Sequence, residues 1–224
     1  MKEEKQLLDD FLLSAAELKK TYLDKRLKKN EVAYLSVDRS TIRSFHHSKE
    51  CSKKYQPLSI FRCWAWKYLS EEDMRRWIKE RNFSGLRDHA YESLKKFWAT
   101  ADGGIPSFAQ YNKLIDLFFK HLCLLDELSD DEREFIFNHS QVPLDKYSLG
   151  FLGRIAPDLN ISAQPRMGDV SEFNYPIFQK RITVICRDIA PLTFDLYAWN
   201  RSVNTIPTAF ELIPLKKNKT NGLE

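Results

Sequence analysis

Apolar residues recur three and four positions apart along most of this chain, and strand-like alternation is hard to find in it. A period near 3.6 puts those residues on one stripe of a helix, so the pattern predicts an all-α fold. Only seven glycines occur in 224 residues, which leaves few positions for the tight turns of a strand-rich fold. Glu3 to Lys29 shows the pattern at length: Leu7, Leu8, Phe11, Leu12, Ala15, Leu18, Tyr22 and Leu23 share a stripe, and charged residues fill the rest.

Start and stop signals place the other helices. Pro57 opens a segment carrying Phe61, Trp64, Trp66 and Tyr68, expected as a buried helix. Ser70 followed by Glu71, Glu72 and Asp73 reads as a cap and an acidic first turn for a helix running to about Arg81. From Ser84 a helix aligns Leu86, Ala90, Leu94, Phe97 and Trp98, and Asp102-Gly103-Gly104 stops it. Pro106 suits a first turn, so the next helix begins near Ser107 and runs through Lys113 to about Asp126. Ser129 and Glu132 form a capping-box pattern for a short helix ending near Asn138. Asp145 heads a helix over Lys146 to Ile155, and two more are expected over Pro176 to Asp188 and Pro191 to Arg201.

With 43% hydrophobic residues the chain can bury a core, and no repeat or linker divides it. One helical unit over residues 1–215 is expected, with lobes 1–102 and 103–215 around a cleft if it divides, and a disordered tail over 216–224. The greasy stretch Leu114 to Leu128 is interrupted by Asp116, Lys120, His121 and Asp126, so it reads as a core helix and no membrane association is expected. The four cysteines are widely spaced and no signal peptide is seen, which predicts a reduced, cytoplasmic protein, nucleoid-associated if bacterial or archaeal. His46, His47, Cys51 and Cys63 lack zinc-site spacing, and a surface loop with a buried thiol is the simpler reading, so no metal is expected. A net charge of +4 permits a polyanionic partner without demanding one.

Phosphate-binding GxxxxGK[ST], GxGxxG, HExxH and GxSxG signatures are all missing, which removes the common kinase, dinucleotide and hydrolase readings. What remains is the run from Gly103 to Leu117, a tight turn leading into a helix with a lysine two turns in. Such a turn can offer backbone amides to a phosphate while the helix offers the lysine to a pocket.

The lysine followed by an apolar helix, the 32-residue gap from Lys113 to Asp145, and the run Val142-Pro143-Leu144-Asp145-Lys146-Tyr147 resemble the helix-hairpin-helix DNA glycosylases. Within them the archaeal 8-oxoguanine DNA glycosylase type is the most similar. Downstream, Asp195 and Trp199 resemble an Asp-xxx-Trp pair that lines the damaged-base pocket in that family. The resemblance covers about Gly103 to Arg201 and implies Lys113 as a Schiff-base nucleophile with Asp145 as its partner. It implies Asp195 and Trp199 as contacts of an extruded base, with Leu117 and Pro143 on the pocket wall. Gly103, Gly104 and Ser107 are implied near the DNA backbone. A glycosylase/apurinic-site lyase that excises an oxidised purine, favouring 8-oxoguanine, follows as the expected activity; DNA is the expected partner, with a monomer and no cofactor.

Two departures stand out. Gly103-Gly104 lies nine or more positions ahead of Lys113, farther than the family's Gly-x-Gly turn, and Leu117 stands where the family tends to an aromatic. Lys120, seven residues beyond Lys113 on nearly the same face, is a rival nucleophile. Read without the resemblance, Asp145 is an N-cap, Asp195 a first-turn acid, Trp199 a core aromatic and Lys113 a surface lysine beside Asp116. An inactive nucleic-acid-binding protein with the same fold is the alternative, since Lys53-Lys54, Arg75-Arg76, Lys79 and Arg81 would neutralise phosphates in either case. A helical interaction scaffold is a further one.

Overall fold

The computed structural model describes residues 2–37, 41, 57–101 and 106–203. Within them the chain forms ten α-helices: α1 (Lys2–Leu23), α2 (Lys29–Leu35), α3 (Pro57–Tyr68), α4 (Glu72–Lys79), α5 (Phe83–Thr100), α6 (Phe108–Leu122), α7 (Asp130–His139), α8 (Lys146–Ile155), α9 (Asn174–Cys186) and α10 (Leu192–Val203). Two short 3₁₀ turns, Pro157–Leu159 and Met167–Asp169, link α8 to α9. The described residues are all-α, as the periodicity predicts. Gly103, Gly104, His46, His47, Cys51, Lys53, Lys54 and the tail from residue 216 lie outside them.

Local capping accounts for most boundaries. Ser107 Oγ accepts from the Gln110 amide while Gln110 Oε1 accepts from the Ser107 amide, and Ser129 and Glu132 do the same for α7. α4 starts one residue later than its acidic signal suggests, with Glu71 at the cap, because Ser70 Oγ donates to the Trp66 carbonyl instead. α9 begins two residues ahead of Pro176, which leaves the proline inside the first turn. Cys63 is exposed, so the buried thiol expected beside the histidines is not that one.

The largest difference lies at the end of α1. The charged stripe to Lys29 reads as one helix, but the chain leaves the helix after Leu23 and starts α2 at Lys29. Tertiary contacts decide this: the Leu27 amide donates to the Leu124 carbonyl at 2.8 Å, and the Asp126 amide returns to the Leu27 carbonyl at 2.9 Å. Arg133, 2% exposed, closes the same junction, donating Nη2 to the carbonyls of Leu23 (2.7 Å) and Lys25 (2.5 Å) and Nε to that of Cys123 (2.9 Å). Leu23 and Cys123 end their helices and Lys25 lies in the link, so one guanidinium reaches three carbonyls without intrahelical partners, two of them shared with Arg26 Nη1.

Buried side chains fall into two clusters. One centres on Trp64, Tyr68, Trp98, Phe118 and Phe119, and the other on Phe11, Phe151, Phe178 and Phe194. They do not follow chain order, since α1 contributes Leu7 and Phe11 to the second and Tyr22 to the first. Helix α10 serves both: Leu192 and Leu196 enter the first cluster, Phe194 and Ala198 the second. Asp195 is therefore carried on a helix wedged between two cores.

Candidate functional site

Helix α6 carries ten buried residues and only a narrow open face. Lys113, Leu117 and Lys120, spaced by four and three, lie on that face and are each partly exposed. Across from it stands α10, where Asp195 is fully buried in the first turn. Lys120 Nζ meets Asp195 Oδ2 at 2.5 Å, with side-chain exposures of 12% and 0%. The other carboxylate oxygen, Oδ1, is buried with no hydrogen-bond partner among the described residues. Burial pushes the Asp195 carboxyl above its ordinary value; Lys120 pulls it back, Asp145 raises it further and Lys113 lowers it.

These charges bring the sequence-predicted residues together. Asp145 Oδ2 accepts from Trp199 Nε1 at 3.1 Å, and Trp199 lies one turn beyond Asp195 on α10. Lys120 Nζ is 6.0 Å from the Trp199 ring centre, and the Trp199 ring meets Tyr147 edge-on at 4.6 Å. Lys113, Lys120, Asp145, Asp195 and Trp199 thus form one electrostatic neighbourhood. Among the described residues Lys113 forms no hydrogen bond or ion pair, in contrast to Lys120.

Asp145 also does what its position on the chain dictates. Its Oδ1 accepts from the amides of Tyr147 (2.8 Å) and Ser148 (3.1 Å), capping α8, so both carboxylate oxygens are engaged. Pro143 is buried, and its carbonyl accepts from Ser148 Oγ at 2.8 Å, which stiffens the turn into Asp145. Leu117 packs beside the first core while its carbonyl accepts from His121 Nδ1 at 2.9 Å. Ser107 is exposed at the start of α6.

Asp116 is not the partner of Lys113 that its spacing suggests. Its Oδ1 accepts from Arg87 Nη2 at 3.0 Å, and its Oδ2 from the Tyr175 hydroxyl at 2.6 Å. Arg87 Nη2 also reaches Asn112 Oδ1 (2.7 Å) and the Tyr175 oxygen (2.9 Å), and Tyr175 lies 2.7 Å from Gln141 Oε1. Burial raises the Asp116 carboxyl against the lowering effects of Arg87 and Tyr175. This polar network was invisible to periodicity. The one signal for it was the pair Asn112 and Asp116, one turn apart on an otherwise apolar helical face.

Among the described residues no group of three or more His, Cys, Asp or Glu side chains is placed to hold a metal ion, and no helix is long and apolar enough to cross a membrane. Comparison with known proteins yields no matching family, no curated relative and no solved structure with a significant likeness to this chain.

Proposed function

We propose that the chain is a base-excision enzyme, a DNA glycosylase with apurinic-site lyase activity that works through a lysine Schiff base on a helix-hairpin-helix-like fold of two lobes. Within that class we favour an oxidised purine as substrate, 8-oxoguanine first. The observation that carries the reading is Asp195: a fully buried carboxylate with Lys120 on one oxygen and no partner among the described residues on the other, one turn from Trp199 and within electrostatic reach of Lys113. A buried polar atom without a partner is costly, and its retention is explained if a ligand completes it.

The chemistry follows from the arrangement. An ammonium beside a bare carboxylate oxygen offers a donor next to an acceptor, which suits a base edge that presents a carbonyl next to an N–H. Trp199 supplies an aromatic face nearby. Lys113, without a hydrogen bond or ion pair among the described residues and on the open face of α6, is better placed to attack than Lys120, which Asp195 holds. The Lys113 amine would form a bond to the anomeric carbon as the glycosidic bond breaks and the base leaves with the electron pair. The negative charge of Asp145 would favour the oxocarbenium-like centre. Ring opening gives the Schiff base, and loss of a proton from the adjacent carbon expels the 3′ phosphate.

Borohydride trapping on a duplex carrying one 8-oxoguanine tests the reading. A covalent adduct is expected with the wild type and with Lys120→Gln, and none with Lys113→Gln. Absence of any adduct, or an adduct that persists in Lys113→Gln, overturns it. The engaged state of both Asp145 oxygens is what an inactive DNA-binding relative of the same fold would also show, and binding of the duplex without an adduct would identify that case.

A further inference from the structure

The two reacting groups named above sit on different supports. Lys113 rides on α6, whereas Asp145 follows the extended stretch between α7 and α8. Nothing in the covalent chain fixes their separation, since 31 residues intervene. Helix α9 reaches both supports through two side chains one turn apart, Tyr175 and Gln179, each buried.

Gln179 grips the stretch that leads into Asp145. Its Oε1 accepts from the Val142 amide at 3.1 Å and its Nε2 donates to the Val142 carbonyl at 2.8 Å, so one amide satisfies both polar groups of a buried backbone unit. Tyr175 grips the catalytic helix. Its oxygen accepts from Arg87 and contacts Asp116 Oδ2 at 2.6 Å and Gln141 at 2.7 Å. A phenol carries one proton, which goes to the Asp116 carboxylate as the stronger acceptor. Asn112 and Asp116, the residues held through Arg87 and Tyr175, lie immediately before Lys113 and one turn after it.

We infer that Tyr175 and Gln179 are positioning residues, which set the separation between the Lys113 amine and the Asp145 carboxylate by tying α6 and the Val142 stretch to one rigid helix. The inference rests on the Schiff-base reading. The links run from side chain to partner as Arg87 to buried Asn112 and Asp116, Tyr175 to buried Asp116 and half-buried Gln141, and Gln179 to both polar atoms of buried Val142. Such a network holds geometry to a fraction of an ångström, and displacement of a reacting group by about 1 Å costs on the order of 100-fold in rate.

The test uses full-length Tyr175→Phe, Gln179→Glu and Gln179→Met with the 8-oxoguanine duplex, read as single-turnover base release over a range of enzyme concentrations. Gln179→Glu keeps the acceptor for the Val142 amide and loses the donor; Gln179→Met loses both. Maximal rates are expected to fall roughly 10- to 100-fold for Tyr175→Phe, Gln179→Met and Gln179→Glu, the last setting a carboxylate oxygen against the Val142 carbonyl, with half-saturating concentrations within about threefold of wild type. Ile78→Ala, fully buried in the first core far along the chain from these residues, serves as a destabilised control and is expected to keep the wild-type rate below its melting point. Equal rates in wild type and the three variants overturn the inference, as does a loss that Ile78→Ala reproduces. A wild type without borohydride adduct overturns the function itself, a result separate from a wild type that traps while its variants match it.

Discussion

Replacing Lys120 with methionine should produce one of the largest single-residue losses of stability in this protein. Lys120 Nζ and Asp195 Oδ2 are 2.5 Å apart, and with an effective dielectric constant near 20 the gross attraction at that distance is about 7 kcal/mol. Desolvation of both groups offsets much of it in the intact pair. Removing only the lysine leaves a carboxylate of 0% exposure with no partner among the described residues on either oxygen, for which about 3 to 5 kcal/mol is lost. For a chain of this size that corresponds to a fall in melting temperature of roughly 6 to 20 °C. The double variant Lys120→Met/Asp195→Leu removes both charges and should recover most of the loss. The gap between wild type and Lys120→Met should also depend on pH. Burial already holds the Asp195 carboxyl above its usual value, and losing Lys120 raises it further. A carboxyl raised on folding favours the fold at low pH and disfavours it as pH rises through its folded value, so the variant should lie closer to wild type at pH 5 than at pH 8. Differential scanning calorimetry at both pH values reads all three numbers. A single variant that melts within about 2 °C of wild type, or a double variant no better than the single, would refute the argument.

Further expectations concern other parts of the molecule. Arg133→Met should cost about 1 to 3 kcal/mol, because the Cys123 carbonyl loses its donor while those of Leu23 and Lys25 keep only Arg26 Nη1; urea titration should show a lower midpoint with an unchanged slope. His121 donates Nδ1–H to the Leu117 carbonyl and burial lowers its pKa to about 4 from 6.5, so its stabilising contribution is whole above pH 6.5 and is lost as pH falls through 4. About 3 kcal/mol hangs on that titration, and a His121→Phe chain whose stability falls as steeply as wild type between pH 6.5 and 4 would contradict it. Gly85→Ala should destabilise by about 1 to 3 kcal/mol despite the better helix propensity of alanine, since its Cβ would stand 2.8 Å from two Trp77 ring carbons; thermal melting that shows a gain would count against it.

How much of this was legible in advance depends on whether a signal is local. Ser107, Ser129 and Asp145 cap their helices as the residues around them specify, because a cap is decided within four positions. The end of α1 was not legible, because Leu27 is drawn out of the helix by Leu124 and Asp126, about a hundred residues on. The site divides in the same way. Lys113, Lys120, Asp145, Asp195 and Trp199 could be singled out one by one, and their common neighbourhood is a property of how α6 faces α10. From its spacing Lys120 is only a rival nucleophile, whereas in the fold its ammonium is bound to Asp195. Arg87, Tyr175, Gln141 and Gln179 carry no motif at all, and only the packed structure puts four such ordinary residues against one another.

The contact between the first and the last described helices bears on how the chain is made. Phe11 of α1 packs on Phe194 at 5.8 Å and on Tyr197 at 5.5 Å, both in α10. Phe11 and Phe194 lie 183 positions apart, and a ribosome adding about 5 to 20 residues each second takes roughly 10 to 40 s to cover that distance. Phe151 of α8 can cover Phe11 earlier, but until the interval ends Phe11 lacks its two aromatic neighbours on α10. The second core, which takes Phe194 and Ala198 from α10, can therefore be completed only when the end of α10 has emerged.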